Sequence, residues 1–259
     1  MKNIVALVTP YKKNGSLNWF NLNFLISYLI FNKIKYILLF GTTGESHNFN
    51  LKNYVNLLMY IKKYNIHFFL SINKINIKKI FYLCFIIKIN NIKKILISIP
   101  CYILPNNLSL FKYYKVINKF GIKNILYNIP KRNGIFINYK LILKFTIKKY
   151  LNYMKNSLNN IKNSLIYKKY NIILYSGDDN NLYFCKTINY IGTISVYNNL
   201  FPKIFLYINK KINFFFNKIN YNINPILIKI FLYKNNLING CFNLLLFNVE
   251  KYFFTQNQT

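Results

Sequence analysis

Three of the four acidic residues in this 259-residue chain fall in two short stretches, and its only arginine falls in a third. Gly41-Thr42-Thr43-Gly44-Glu45-Ser46 sets two hydroxyls between two glycines. Glycines permit positive φ or close approach. The hydroxyls and backbone N–H groups of such a loop suit a carboxylate or a phosphate. The stretch lacks the Lys-Ser/Thr ending of a phosphate-binding Walker loop; an ordinary strand-to-helix turn with a capping threonine remains its other reading. In Tyr127-Asn128-Ile129-Pro130-Lys131-Arg132-Asn133-Gly134, the planar fork of Arg132 suits a substrate carboxylate, against the alternative of a plain surface arginine. Tyr127 and Tyr102 offer phenols for proton transfer. Asp178 and Asp179, in Ser176-Gly177-Asp178-Asp179, suit loop N–H groups or a helix cap.

Lys155 brings a different chemistry. Desolvation and neighbouring cations favour the neutral amine of a lysine, which adds to a carbonyl to form a Schiff base. By pattern alone Lys155 is one candidate among several in a chain with 36 Lys and Arg residues. His47, His67 and the four cysteines (Cys84, Cys101, Cys185 and Cys241) show no metal-ligand spacing, so no metal is expected. The cysteines read as buried free thiols of a reducing compartment.

These residues need elements to carry them. Short apolar runs at 4–10, 36–40, 67–72, 94–99, 124–129, 151–155, 172–176 and 192–197 read as strands. Several are continuously apolar, as a parallel strand covered on both faces must be. Between them, amphipathic stretches predict helices near 18–33, 50–64, 75–89, 108–119, 138–148, 159–168, 180–188 and 200–217. Eight strand–helix units predict an α/β fold, a (β/α)₈ TIM barrel over 1–218. A short C-terminal helical region over 219–259 follows, with helices near 225–235 and 239–249. Pro10, Gly41, Gly44, Pro100, Pro130, Gly134 and Gly177 fall at or just after predicted strand ends, the catalytic face of such a barrel.

The formal charge of +32 points formally to nucleic acid or an anionic surface. The lysines are spread through every segment, however, and nucleic-acid readers favour the arginine this chain all but lacks. A strong bias toward A/T-rich codons accounts for Lys, Asn, Ile, Phe and Tyr together. No run of 18 apolar residues is free of Lys or Asn, so no membrane span is expected. The N-terminal apolar run reads as a strand and not as a signal peptide.

The ordered set of Val8-Thr9-Pro10, the Gly41–Ser46 stretch, Pro100-Cys101-Tyr102, the Tyr127–Gly134 stretch, Lys155, Ser176–Asp179 and Gly192-Thr193-Ile194-Ser195-Val196 resembles the 4-hydroxy-tetrahydrodipicolinate synthase family, older name dihydrodipicolinate synthase. The resemblance covers about residues 4–200; beyond them Asn224-Pro225 continues it. It implies a cytoplasmic class I aldolase-type lyase that condenses pyruvate with L-aspartate 4-semialdehyde in lysine and diaminopimelate biosynthesis. It also implies no cofactor beyond a covalent lysine imine, a homodimer or homotetramer, and neither nucleic acid nor membrane as partner. Lys155 then resembles the imine-forming lysine, and Tyr127, Thr42 and Tyr102 a proton relay, Tyr102 reaching across a subunit interface. Thr43 resembles the holder of the pyruvate carboxylate, and Arg132 that of the semialdehyde carboxylate. Gly177 and Ile194 correspond to residues on the pyruvate side, Ile194 through its backbone. The chain departs from the family around the lysine, with Met154-Lys155-Asn156-Ser157 where Ile-Lys-Glu-Ala is usual. Rival readings are another pyruvate-dependent aldolase, of the N-acetylneuraminate lyase or 2-keto-3-deoxy sugar acid type, and a catalytically degenerate barrel that binds nucleic acid.

Overall fold

A computed structural model describes residues 2–73, 76–99, 105–158, 160–219 and 224–241. Eight parallel strands close into a barrel in sequence order. They are β1 (Lys2–Ala6), β2 (Tyr36–Leu39), β3 (His67–Ile72), β4 (Lys94–Ser98), β5 (Lys123–Asn128), β6 (Tyr153–Asn156), β7 (Ile173–Ser176) and β8 (Gly192–Ser195). The helices are α1 (Trp19–Phe31), α2 (Leu51–Ile61), α3 (Ile77–Ile89), α4 (Asn107–Asn118), a single turn α5 (Pro130–Asn133), α6 (Tyr139–Ile147), α7 (Ile161–Lys169), α8 (Leu182–Thr187), α9 (Ile204–Tyr207), α10 (Lys210–Ile219) and α11 (Ile226–Lys234). All eight predicted strands are present. The predicted helix 239–249 lies almost wholly outside the described residues, as do Cys101, Tyr102 and Glu250. Among the described residues no helix is long and apolar enough to cross a membrane.

Apolar periodicity explains the layers. The faces Leu22-Leu25-Ile26-Leu29 of α1, Tyr54-Leu57-Leu58-Ile61 of α2 and Ile80-Leu83-Cys84-Ile87 of α3 repeat at i, i+3, i+4 and i+7 and are buried against the barrel. Each leucine or isoleucine among them contributes about 1.5–3 kcal/mol by leaving water. Inside the barrel, alternate strand residues form a second core, with Ile4, Leu38, Phe69, Leu96, Ile125 and Ile194 among its members.

Asparagine starts and stops the helices. Asn18, Asn50, Asn76, Asn106, Asn138 and Asn160 cap α1, α2, α3, α4, α6 and α7, each side chain accepting a first-turn backbone N–H. At the other ends, Asn91, Asn171, Asn189 and Asn236, with Lys33 and Lys149, take positive φ where glycine is the usual choice. The chain closes each of these turns with a six-residue backbone bond, as in Ile34 N–H to Leu29 and Ile172 N–H to Tyr167.

Two of the differences from the predicted boundaries have a hydrogen-bonding reason. The first strand was expected over 4–10 and ends at Ala6. Beyond it the backbone leaves the ladder: Val8 N–H donates to Asn199 Oδ1, Thr9 Oγ1 donates to the Gly44 carbonyl, and Pro10 has no N–H. The helix expected over 200–217 is two, because Asn209 caps a fresh start by accepting the Ile212 N–H.

Buried Asn198 and Asn199 sew the barrel seam. Asn198 Nδ2 donates to the Ile4 carbonyl and its Oδ1 accepts from Ile204 N–H. Asn199 Nδ2 donates to the Ala6 carbonyl. The loop after β8 is thereby bonded to the strand that opened the chain.

Candidate active site

The C-terminal strand ends open onto a cleft of about 530 Å³, with Tyr127, Arg132, Ser157, Gly177, Asp179 and Asn224 in its wall. Lys155 lies against two of these residues, Tyr127 and Gly177. β6 sits between β5 and β7 in a register that pairs Lys155 with Tyr127 on one side and Tyr175 on the other. Parallel pairing turns these three side chains to the same face, the barrel interior. Alternation sends the neighbouring Met154 outward into the helix-facing core. Only 5% of Lys155 is exposed. Its Nζ lies over the Tyr127 ring, 4.2 Å from the centroid.

Gly177 passes close over this lysine. A Cβ there would lie 2.5 Å from Ser157 Oγ and 2.9 Å from Lys155 Cγ. Glycine is therefore what lets the chain after β7 cross the base of the amine. The Ser157 hydroxyl is buried and has no hydrogen-bond partner among the described residues. It is an open donor at the cleft wall.

The turn after β2 brings its hydroxyls in from the opposite side. Thr43 is buried and its Oγ1 accepts from Asn224 Nδ2 at 3.0 Å; Thr42 is half-buried beside it. Thr9 bonds to Gly44 at 2.7 Å. A Cβ at Gly44 would meet the Leu7 carbonyl oxygen at 3.0 Å, so a larger residue would crowd the backbone just after β1. Arg132, on α5, reaches the Asn224 carbonyl with Nη2 at 3.4 Å. Ile194 is 2% exposed inside the barrel, and the cleft on the β8 side is lined by Val196 and Tyr197 above it.

The acidic residues act on backbone. Asp178 Oδ1 accepts the Asn180 N–H and Asp179 Oδ2 accepts the Val196 N–H at 3.0 Å. Burial raises the Asp179 carboxyl to about 6; Ser195, the Val196 amide and the charge of Lys155 oppose that rise. Glu45 pairs with Lys229 of α11 out of solvent. Among the described residues no group of three or more His, Cys, Asp or Glu could hold a metal ion.

The structure thus brings Lys155, Tyr127 and Gly177 together, and joins Thr43 to Arg132 through Asn224. Sequence reasoning noticed Asn224 without giving it a task and did not single out Lys229. For Asn224 the signal was its place beside Pro225 in an otherwise drifted region. For Lys229, one lysine among dozens, there was none.

The family model described as the dihydrodipicolinate synthetase family matches residues 1–239. The 4-hydroxy-tetrahydrodipicolinate synthase of Wigglesworthia glossinidia brevipalpis is 35% identical over 207 residues, covering 76% of this chain and 68% of that protein. The crystal structure of dihydrodipicolinate synthase from Aquifex aeolicus has the same fold, with a TM-score of 0.85 at 23% identity over 99% of this chain and 97% of that one. That of the chloride-inhibited enzyme from Acinetobacter baumannii, complexed with pyruvate, has a TM-score of 0.87 at 22% identity over 99% and 96%.

Proposed function

Because this chain belongs to the dihydrodipicolinate synthetase family, we propose that it acts as a 4-hydroxy-tetrahydrodipicolinate synthase with Lys155 as the residue that binds pyruvate. The observation that carries the assignment is the enclosed amine of Lys155 over the Tyr127 ring, inside the barrel and under the cleft.

The chemistry follows from the groups present. Lys155 Nζ adds to the keto carbon of pyruvate, and the resulting carbinolamine loses water to give an iminium. The positive nitrogen withdraws electrons, so a methyl proton leaves and an enamine forms. The enamine carbon bonds to the aldehyde carbon of L-aspartate 4-semialdehyde. The semialdehyde's own amine then closes the ring and displaces the lysine, which is regenerated. Tyr127, Thr42 and Tyr102 move the protons; Tyr102 lies outside the described residues and takes its role from the family resemblance. Thr43 holds the pyruvate carboxylate and Arg132 that of the semialdehyde, with Gly177 and Ile194 on the pyruvate side. Both substrates are anions, and a cationic mouth aids their capture. No cofactor enters this scheme beyond the lysine imine.

The cytoplasm is the proposed compartment, in keeping with the free thiols of Cys84, Cys185 and Cys241. A homodimer or homotetramer is the proposed assembly, on the family resemblance.

Borohydride reduction in the presence of pyruvate tests the central claim. A mass increase confined to Lys155, and lost in Lys155→Met, is the expected result. A folded protein that takes no adduct, or takes it on another lysine, would sink the assignment. Ring formation with aspartate semialdehyde separates the synthase from aldolases that cleave sugar acids, and the placement of Arg132 at the cleft favours the synthase.

A further inference from the structure

The condensation leaves one buried pair of charges without a task. Lys229 is wholly enclosed, and Glu45 is 2% exposed. The Lys229 ammonium also lies 4.6 Å from the Tyr11 ring centroid. Burial drives Lys229 toward its neutral form, and Glu45 pulls it back. Apolar residues of like volume often serve stability as well as such a pair does, and the pair's distinctive property is that it is satisfied in one register only.

That register bears on the site. Glu45 adopts left-handed backbone, φ 52°, two residues after Thr43, a conformation a non-glycine residue keeps only when its surroundings hold it. Lys229 sits on α11, and two residues before α11 Asn224 donates to Thr43 Oγ1 and accepts from Arg132. The Thr42–Ser46 turn and the start of α11 are therefore clipped together twice, once by the buried Lys229–Glu45 pair and once by Asn224 at the cleft wall.

We propose that the Lys229–Glu45 pair is a positioning device: it fixes α11 on the Thr42–Ser46 turn and so, through Asn224, sets both Thr43 and Arg132, the groups that receive the carboxylates of the two substrates. The inference rests on the function proposed above.

The test uses the full chain and borohydride trapping at Lys155 as a function of pyruvate concentration. Glu45→Gln with Lys229→Met removes both charges and leaves no ion unpaired. The half-saturating pyruvate concentration is expected to rise by about tenfold or more, as a small misplacement of a binding group does. KM for the semialdehyde rises with it, while the fraction trapped at saturating pyruvate stays at the wild-type level. In a Thr43→Val background the same pair of substitutions adds less than about twofold to the half-saturation value, since the group it positions is already gone. A lower trapped fraction at unchanged half-saturation indicates a merely structural pair and overturns the proposal, as do effects that multiply independently with Thr43→Val. If the neutral pair does not fold, Lys229→Arg keeps the charge but changes its geometry; a wild-type half-saturation value in that variant also overturns the proposal. A wild-type protein that takes no pyruvate at all removes the assignment of Lys155 first, and this inference with it.

Discussion

At Gly177 a single hydrogen separates the loop after β7 from the amine-bearing side chain below. Gly177→Ala would force its methyl to within 3 Å of both Ser157 Oγ and Lys155 Cγ. Overpacking of this kind costs about 1–3 kcal/mol. The expected outcome is a lower urea midpoint together with loss of pyruvate trapping, since the lysine itself must move. Asp179 makes a prediction in pH. Its carboxyl is raised from 3.8 to about 6, so folding favours the protonated form. The group therefore supports the fold below about pH 4 and loses that contribution as pH rises through 6. Asp179→Asn, which still offers an oxygen to the Val196 N–H, should gain about 1–3 kcal/mol over the wild type at pH 7.5 and nothing at pH 4, read from urea melts at both values. Residue identity was legible where the type is scarce. Arg132, Glu45 and the two aspartates stood out because the chain has so few of their kind. Lys155 stood out only by its place at a strand end and by the family resemblance. Lys229 did not, because its meaning lies in a partner 184 residues away.

At the scale of elements, the strands were readable from their unbroken apolar runs, and the helix faces from a spacing that survives any lysine or asparagine on the outer side. The ends were less so. β1 stops early because the distant Asn199 side chain captures the Val8 N–H and the Thr9 side chain turns to the Gly44 carbonyl, which no local pattern announces. The split after Tyr207 turns on one asparagine cap in a sequence where asparagine is everywhere. That abundance has a physical use. Asparagine is among the best N-caps and among the few residues at ease in left-handed backbone, so a chain poor in Asp, Ser and Gly still ends its helices properly. It forgoes the charge–dipole term, however: α1, α2, α3, α4, α6 and α7 have no acidic residue in the first turn. Asn106→Asp keeps the cap on α4 and adds a negative charge at a positive helix end. It is expected to stabilise the fold by about 0.3–1 kcal/mol, diminishing in high salt, as thermal unfolding at two ionic strengths would show.

For the whole molecule the excess of positive charge is the chief energetic burden. It is sharpest at the end of the barrel opposite the cleft. There Lys94 is pushed down to about 8, first by burial and then by Lys2 and Lys123. A depressed lysine supports the fold only when neutral. Its contribution is present above about pH 10.5 and is lost as pH falls through 8. Lys94→Met should therefore raise stability at pH 7 by about 1–2 kcal/mol, after allowance for partial solvent screening, with the gain fading above pH 10. Differential scanning calorimetry across that range checks it. The closed barrel was legible from strand and helix alternation; the side-chain bonds that tie the loop after β8 to β1 were not. Beside the β1–β8 ladder, those bonds come from Asn198 and Asn199, two fully buried amides indistinguishable in sequence from their many exposed counterparts.

The Lys229–Glu45 pair also has a consequence in time. During synthesis the glutamate leaves the ribosome long before its lysine is made, separated from it by 184 residues. At about 5–20 residues per second that interval is roughly 10–40 s. Throughout it the turn with Thr43 can adopt its backbone shape only without the counter-charge that later sits beneath it. The segment translated near the end thus dates the competence of a loop translated near the beginning, and a nascent barrel halted before residue 229 would have its lysine amine in place without a finished seat for the keto acid.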